Sequence, residues 1–227
     1  SGVAISGYNT GIYLAAVSNH LENISITGSA YYGLQMPVVG GPTLSFDGID
    51  ISSSNVGVQF FGGTAGFTFS GDPGATGPGI GRVAFSDNAI DFELRNGNDI
   101  TLEDLVLSGR STGITTTGYT GNIPNLRIQN VTSNGPAPAG TGFDVSGIDM
   151  VIDNVSASQR YRGLFVGYST GVTISDVVAS RMEEAGLFIH QCTVTAAKGI
   201  SISGVEIERS GGVSGAVVIQ STNATTN

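Results

Sequence analysis

The chain has 227 residues, enough for one sizeable core, with 35 glycines, 12% charged residues and no tryptophan. A 40% apolar fraction excludes a disordered chain, the lack of a G-X-Y period excludes collagen, and no run of 18 apolar residues offers a membrane span. Nine basic against eighteen acidic residues give a net charge of −9, a field that repels a polyphosphate backbone and argues against nucleic acid as a partner.

The opening Ser1-Gly2-Val3-Ala4-Ile5 carries no basic n-region, so no signal peptide is expected within the chain. Cys192 is the single cysteine and permits neither an internal disulfide nor a cysteine-based metal site. A short pattern then repeats: a glycine (once an alanine) followed by apolar-x-apolar. It runs from Gly11-Ile12-Tyr13 through the marks Gly33, Gly57, Ala89, Gly113, Gly142, Gly163, Gly186 and Gly215. Nine marks spaced 21 to 32 residues apart indicate a solenoid.

Between the marks lies a second pattern, apolar-x-apolar-x-[Asn/Asp/Gly]-apolar, cleanest at Val172-Thr173-Ile174-Ser175-Asp176-Val177. Period-two alternation predicts strands with one buried face. The central residues Asn23, Gly48, Asp104, Asn130, Asn154, Asp176 and Gly204 are of the types that tolerate left-handed φ/ψ, so each predicts a bend between two short strands. Each coil is thus expected to supply three strands of three to five residues. Ile12, Leu34, Val58, Ile90, Ile114, Phe143, Leu164 and Leu187 are expected to stack as one inward column, in a rod about 43 Å long. Segments 71–79 and 134–140, rich in Gly and Pro, predict loops inserted in coils 4 and 6.

This repeat resembles the right-handed parallel β-helix of the pectin-lyase-like superfamily over essentially all 227 residues. The implied fold is all-β: a single-stranded solenoid of about nine three-strand coils forming one domain, 1–227. The chain begins and stops inside coils without a capping helix, which suggests a segment of a longer chain, or caps supplied by flanking domains or by a homo-oligomer such as a trimer. The lyase, polygalacturonase and epimerase motifs of the superfamily have no match here.

In the superfamily it resembles, saccharides lie along the outer face of the strand that follows the third turn, here the marked one. Its outward residues are expected to be Tyr13, Gln35, Gln59, Asp91, Thr115, Asp144, Phe165, Phe188 and Val217. Asp91 and Asp144, two coils or roughly 9.6 Å apart, approach the spacing of an inverting glycosidase pair and are the catalytic candidates. Phe165 and Phe188 offer a stacking surface. Arg160, Tyr161 and Arg162, with Arg181 on the next coil, lie beside them, and arginine forks suit acidic sugars. An arginine–glutamate bridge to Glu183 or Glu184 is the plainer use of Arg160 or Arg162. His190 has no second histidine to complete a metal site, and no metal or cofactor is expected. Asn23, Asn130, Asn154 and Asn223 fit the glycosylation pattern, which the turn repeat itself generates. Two readings follow. One is an extracellular polysaccharide-binding or polysaccharide-degrading protein, a glycoside hydrolase or lyase if it is an enzyme. The other is an inactive shaft segment of a tailspike, adhesin or surface filament on a cell or virion.

Overall fold

The structure is a computed structural model, and it describes residues 2–14, 20–36, 45–61, 66–72, 74, 80–116, 123–135, 140–208, 216–220 and 223–225. Among these residues there is no helix. The strands form two parallel sheets, one of nine strands and one of fifteen. The nine-stranded sheet contains Thr10–Tyr13, Tyr32–Met36, Val56–Phe61, Ile90–Asn96, Thr112–Thr116, Thr141–Val145, Arg162–Gly167, Ala185–His190 and Val217–Gln220, paired strictly in chain order. They are numbered here as coils 1 to 9. The result is an all-β parallel solenoid, as the periodicity predicted. It closes about seven turns, fewer than the nine expected.

All seven bend residues have positive φ: Asn23 53°, Gly48 71°, Asp104 54°, Asn130 54°, Asn154 48°, Asp176 50° and Gly204 59°. The bends are tighter than predicted. Gly147–Ser158 and Thr170–Ser180 each run as one strand through the bend, so a single left-handed residue turns the chain without ending its pairing. The side chains on this edge join along the stack, Asn130 Nδ2 donating to Asp104 Oδ1 (3.1 Å) and Asn154 Nδ2 to Asn130 Oδ1 (2.7 Å).

Inside, Leu34, Val58, Ile114, Phe143, Leu164 and Leu187 stack in register and are essentially inaccessible. Coil 4 departs from the expectation. Phe92, not Ile90, pairs with Val58 and Ile114 and fills the column. Ile90 pairs with Val56, one step before the mark. A shift of two residues preserves the alternation of faces, so the pattern alone permits both frames. The realised frame buries Phe92 and Leu94 completely, and it sets Phe92 against Phe69 and Phe85 at 5.1 and 4.8 Å between ring centres. Most of the loop expected at 71–79 and the centre of that expected at 134–140 lie outside the described residues.

Candidate functional site

The pairing register fixes which side chains stand on the outer face of the nine-stranded sheet. Gln35 pairs with Gln59, Gln59 with Glu93, Glu93 with Thr115, Thr115 with Asp144, Asp144 with Phe165, Phe165 with Phe188 and Phe188 with Val218. Asp144, Phe165 and Phe188 occupy the expected positions. Asp91 does not, and Glu93 stands in its place. A separate slippage, of one residue, replaces Val217 with Val218 in coil 9.

Asp91 aligns with the mark glycines Gly57 and Gly113, where the chain leaves a corner and a Cβ points into the interior. A Cβ at Gly113 would lie 2.4 Å from Ser133 Oγ. In coil 4 a carboxylate occupies that slot. Asp91 is fully buried, accepting from Asn88 Nδ2 (3.0 Å) and from the Gly109 amide (2.6 Å). Burial pushes its carboxyl up to about 6 in spite of these donors and of the nearby Arg160 charge.

Arg160 is also interior, not at the face as expected. From coil 7 its guanidinium reaches back along the corner. NH1 donates to the carbonyls of Gly109 (2.5 Å) and Ser111 (3.2 Å), and NH2 donates to Ser133 Oγ and the Asn134 carbonyl (3.2 Å each). Desolvation lowers its pKa, opposed by Asp91. Asp91 and Arg160 therefore build the corner and cannot meet a ligand on the sheet.

On the face itself, coils 2 to 4 form a saturated ladder. Gln35 Nε2 donates to Gln59 Oε1 (2.7 Å), Gln59 Nε2 to Glu93 Oε2, and Arg95 to Glu93 Oε1 (3.1 Å). Beyond Thr115 the character changes. Asp144 makes no side-chain hydrogen bond or ion pair among the described residues, and burial pushes its carboxyl up against the pull of Arg162. Phe165 and Phe188 lie 5.5 Å apart between ring centres, with His190 at 6.1 and 6.2 Å from them. Gly167 makes room for this arrangement, since a Cβ there would lie 2.7 Å from the Phe165 ring.

Arg162 lies over the aromatic group, its guanidinium carbon 4.5 Å from the Phe188 ring centre, 5.2 Å from Phe165 and 5.5 Å from Tyr161. Its Nε donates to Glu184, the cross-coil bridge that was the plainer expectation. Phe188 is consequently only 7% exposed, whereas Tyr161 is 42% exposed. Arg181 stands at a left-handed corner position and turns to Gln159, whose amide, oriented so that both ends are satisfied, accepts from Arg181 NH1 (3.2 Å). The structure therefore gathers Asp144, Tyr161, Arg162, Phe165 and Phe188, adds Glu93 and His190, and removes Asp91, Arg160 and Arg181.

A parallel solenoid with a polar-to-aromatic outer sheet defines the class: a parallel β-helix of the pectin-lyase-like superfamily. A family model described as NosD, periplasmic copper-binding protein, matches residues 74–226. The chain belongs to the NosD family. Comparison with curated proteins gave no match. Among solved structures, the chain is similar to the catalytic domain of a GH87 α-1,3-glucanase, a point variant in complex with nigerose. The TM-score is 0.55 at 13% identity, over 100% of this chain and 55% of that one. That likeness is one of fold, and this chain spans about half the length of the glucanase domain.

The family description raises copper, which favours thiolate, thioether and imidazole donors. The segments outside the described residues contain no His, Cys, Met, Asp or Glu, so every such donor in the 227 residues has a described position. No three His, Cys, Asp or Glu side chains converge among them. Met36, Met150 and Met182 are core side chains. Cys192 is buried, its thiol pushed up by desolvation, and its sulfur is 3.6 Å from the carbonyls of Val166 and His190. These residues do not fit a copper site.

Proposed function

We propose that this chain is a glycan-directed β-helix that holds a polysaccharide along the outer face of its nine-stranded sheet. The observation that supports it is the continuity of that face. Amides and carboxylates on coils 2 to 6 give way in register to the aromatic group on coils 7 and 8, hydrogen-bonding groups for hydroxyls beside faces for sugar rings. The glucanase named among the similar structures acts on a polysaccharide in the same fold, and the periplasmic description of the family agrees with a location outside the cytoplasm. The reading is one of binding, because Asp91, the expected partner of Asp144 in hydrolysis, is an interior group.

A structural shaft segment is the second reading. It is favoured by the capping of Phe188 by Arg162 and by the saturated ladder of coils 2 to 4, which leave part of the face self-contained. A glycan array on the recombinant chain, with a reducing-end assay on every polysaccharide it retains, separates the two. Retention that is lost in Phe165→Ala supports the glycan reading, and new reducing ends would add cleavage. A silent array with no new reducing ends favours the shaft.

A further inference from the structure

The charges on the sheet face discriminate between classes of glycan. Both cations of the face already have anionic partners: Arg95 binds Glu93, and Arg162 binds Glu184 while lying over Phe188. The arginines that would have gripped an acidic sugar are engaged elsewhere, Arg160 in the interior and Arg181 at Gln159. What remains without a partner is an acid. Asp144 has no hydrogen bond or ion pair among the described residues, and it sits between the small Thr115 and the half-buried Phe165. Beyond Phe165 the imidazole of His190 has Nδ1 buried without a partner, a second polar group whose bonding capacity the protein leaves unfilled.

Resting on the glycan reading above, we infer that Asp144, Phe165 and His190 form a subsite for an uncharged sugar. A pyranose ring lies against Phe165 while its hydroxyls hydrogen-bond the Asp144 carboxyl, and the subsite rejects uronic and other carboxylated sugars. The chemistry is direct. A carboxyl group pairs with vicinal hydroxyls as acceptor, or as donor when protonated, and a ring face packs against an aromatic face. A uronate placed there brings a second carboxylate beside Asp144, while Arg162, the cation that acts on Asp144, is already bridged to Glu184, on a chain whose net charge is already −9.

The test is calorimetry of the whole chain with two sets of probes. The neutral set is the tetrasaccharides of α-1,3-, α-1,4-, β-1,3- and β-1,4-linked glucose, and the acidic set is tetragalacturonate and tetramannuronate. The expected result is binding of at least one neutral probe, at least about tenfold tighter than either uronate. Asp144→Ala should weaken that binding by about tenfold, the loss of hydrogen bonds to a charged group. Asp144→Asn, nearly isosteric, keeps one donor and one acceptor and should retain more affinity than Asp144→Ala, which also guards against a variant that fails to fold. Uronates bound as tightly as neutral sugars would overturn the inference and leave the glycan reading standing. So would neutral binding unchanged in both Asp144 variants. Silence from both sets overturns the glycan reading itself.

Discussion

At the corner before the face strands, coils 2, 3 and 6 place small groups. Ser29, Ser54 and Ser133 are buried there, and beside them a Cβ on the mark glycines Gly11, Gly33 and Gly113 would come within 2.4 Å of a neighbouring side chain. Coil 4 instead inserts the Asp91 carboxyl, and the slot is dry enough to hold its pKa at about 6, above the ~3.9 of an unfolded aspartate. The folded state therefore binds this proton more tightly than the unfolded one. The stabilisation from that proton is complete below about pH 4 and is lost as pH rises through about 6, a change of about 3 kcal/mol. In Asp91→Asn the titration is absent. The stability of wild type minus that of the variant, from denaturant unfolding, is expected to fall by about 2 kcal/mol between pH 4 and pH 7. Equal differences at both pH values would mean the carboxyl is solvated. None of this was legible in the sequence, where Ala89-Ile90-Asp91-Phe92 fits the repeat as well as Asp91-Phe92-Glu93-Leu94. Only the demand of the core for Phe92 and Leu94 decides between them.

At the scale of the element, the left-handed edge was fully legible. Asn, Asp and Gly are the residues for which a positive φ costs little, and seven of them at one place in the repeat leave few alternatives. Gly204 tests the point. Its φ is 59°, and an added Cβ would come within 2.3 Å of Asp176 Oδ1. Gly204→Val is expected to lower stability by about 1–3 kcal/mol, and an unchanged unfolding midpoint would contradict the conformation. Asn154→Ala removes both a residue tolerant of this conformation and the donor to Asn130, and should cost about 1–2 kcal/mol in the same assay. The ladder also accounts for two of the sequons, since the amide nitrogens of Asn130 and Asn154 are engaged along the edge. The length of the strands was misjudged for a physical reason. One left-handed residue bends a strand without breaking its pairing, whereas the alternation pattern marks every such residue as an interruption.

At the scale of the whole molecule, parallel stacking and the outward side of the sheet were readable because they follow from period two repeated at a fixed interval. Which outward residues are available was not. The Arg162–Glu184 bridge, the capping of Phe188 and the withdrawal of Arg160 depend on side-chain directions that no spacing encodes. Arg162 offers a measurable consequence. Removing its guanidinium in Arg162→Ala uncovers Phe188, so neutral-glycan binding on the aromatic group is expected to strengthen severalfold if stacking contributes to it. Calorimetry with the best neutral probe reads this directly, and weaker binding would assign Arg162 to the ligand instead.

The reach of Arg160 bears on how the rod comes apart. A solenoid held only by contacts between adjacent coils unzips from its ends one coil at a time, each step costing its own interface. Arg160 joins coil 7 to the corners of coils 5 and 6 through four hydrogen bonds, so no one of these three can open without stranding polar groups of another. They should behave as a single foldon. In native-state hydrogen exchange the amides of Thr112–Thr116, Thr141–Val145 and Arg162–Gly167 are expected to share one opening free energy, with coils 1 to 3 graded below it. In Arg160→Met the shared value should split into separate steps and global stability should fall by about 3–5 kcal/mol. A protein that looks like a stack of independent layers would then owe its resistance to fraying to one rivet driven through three of them.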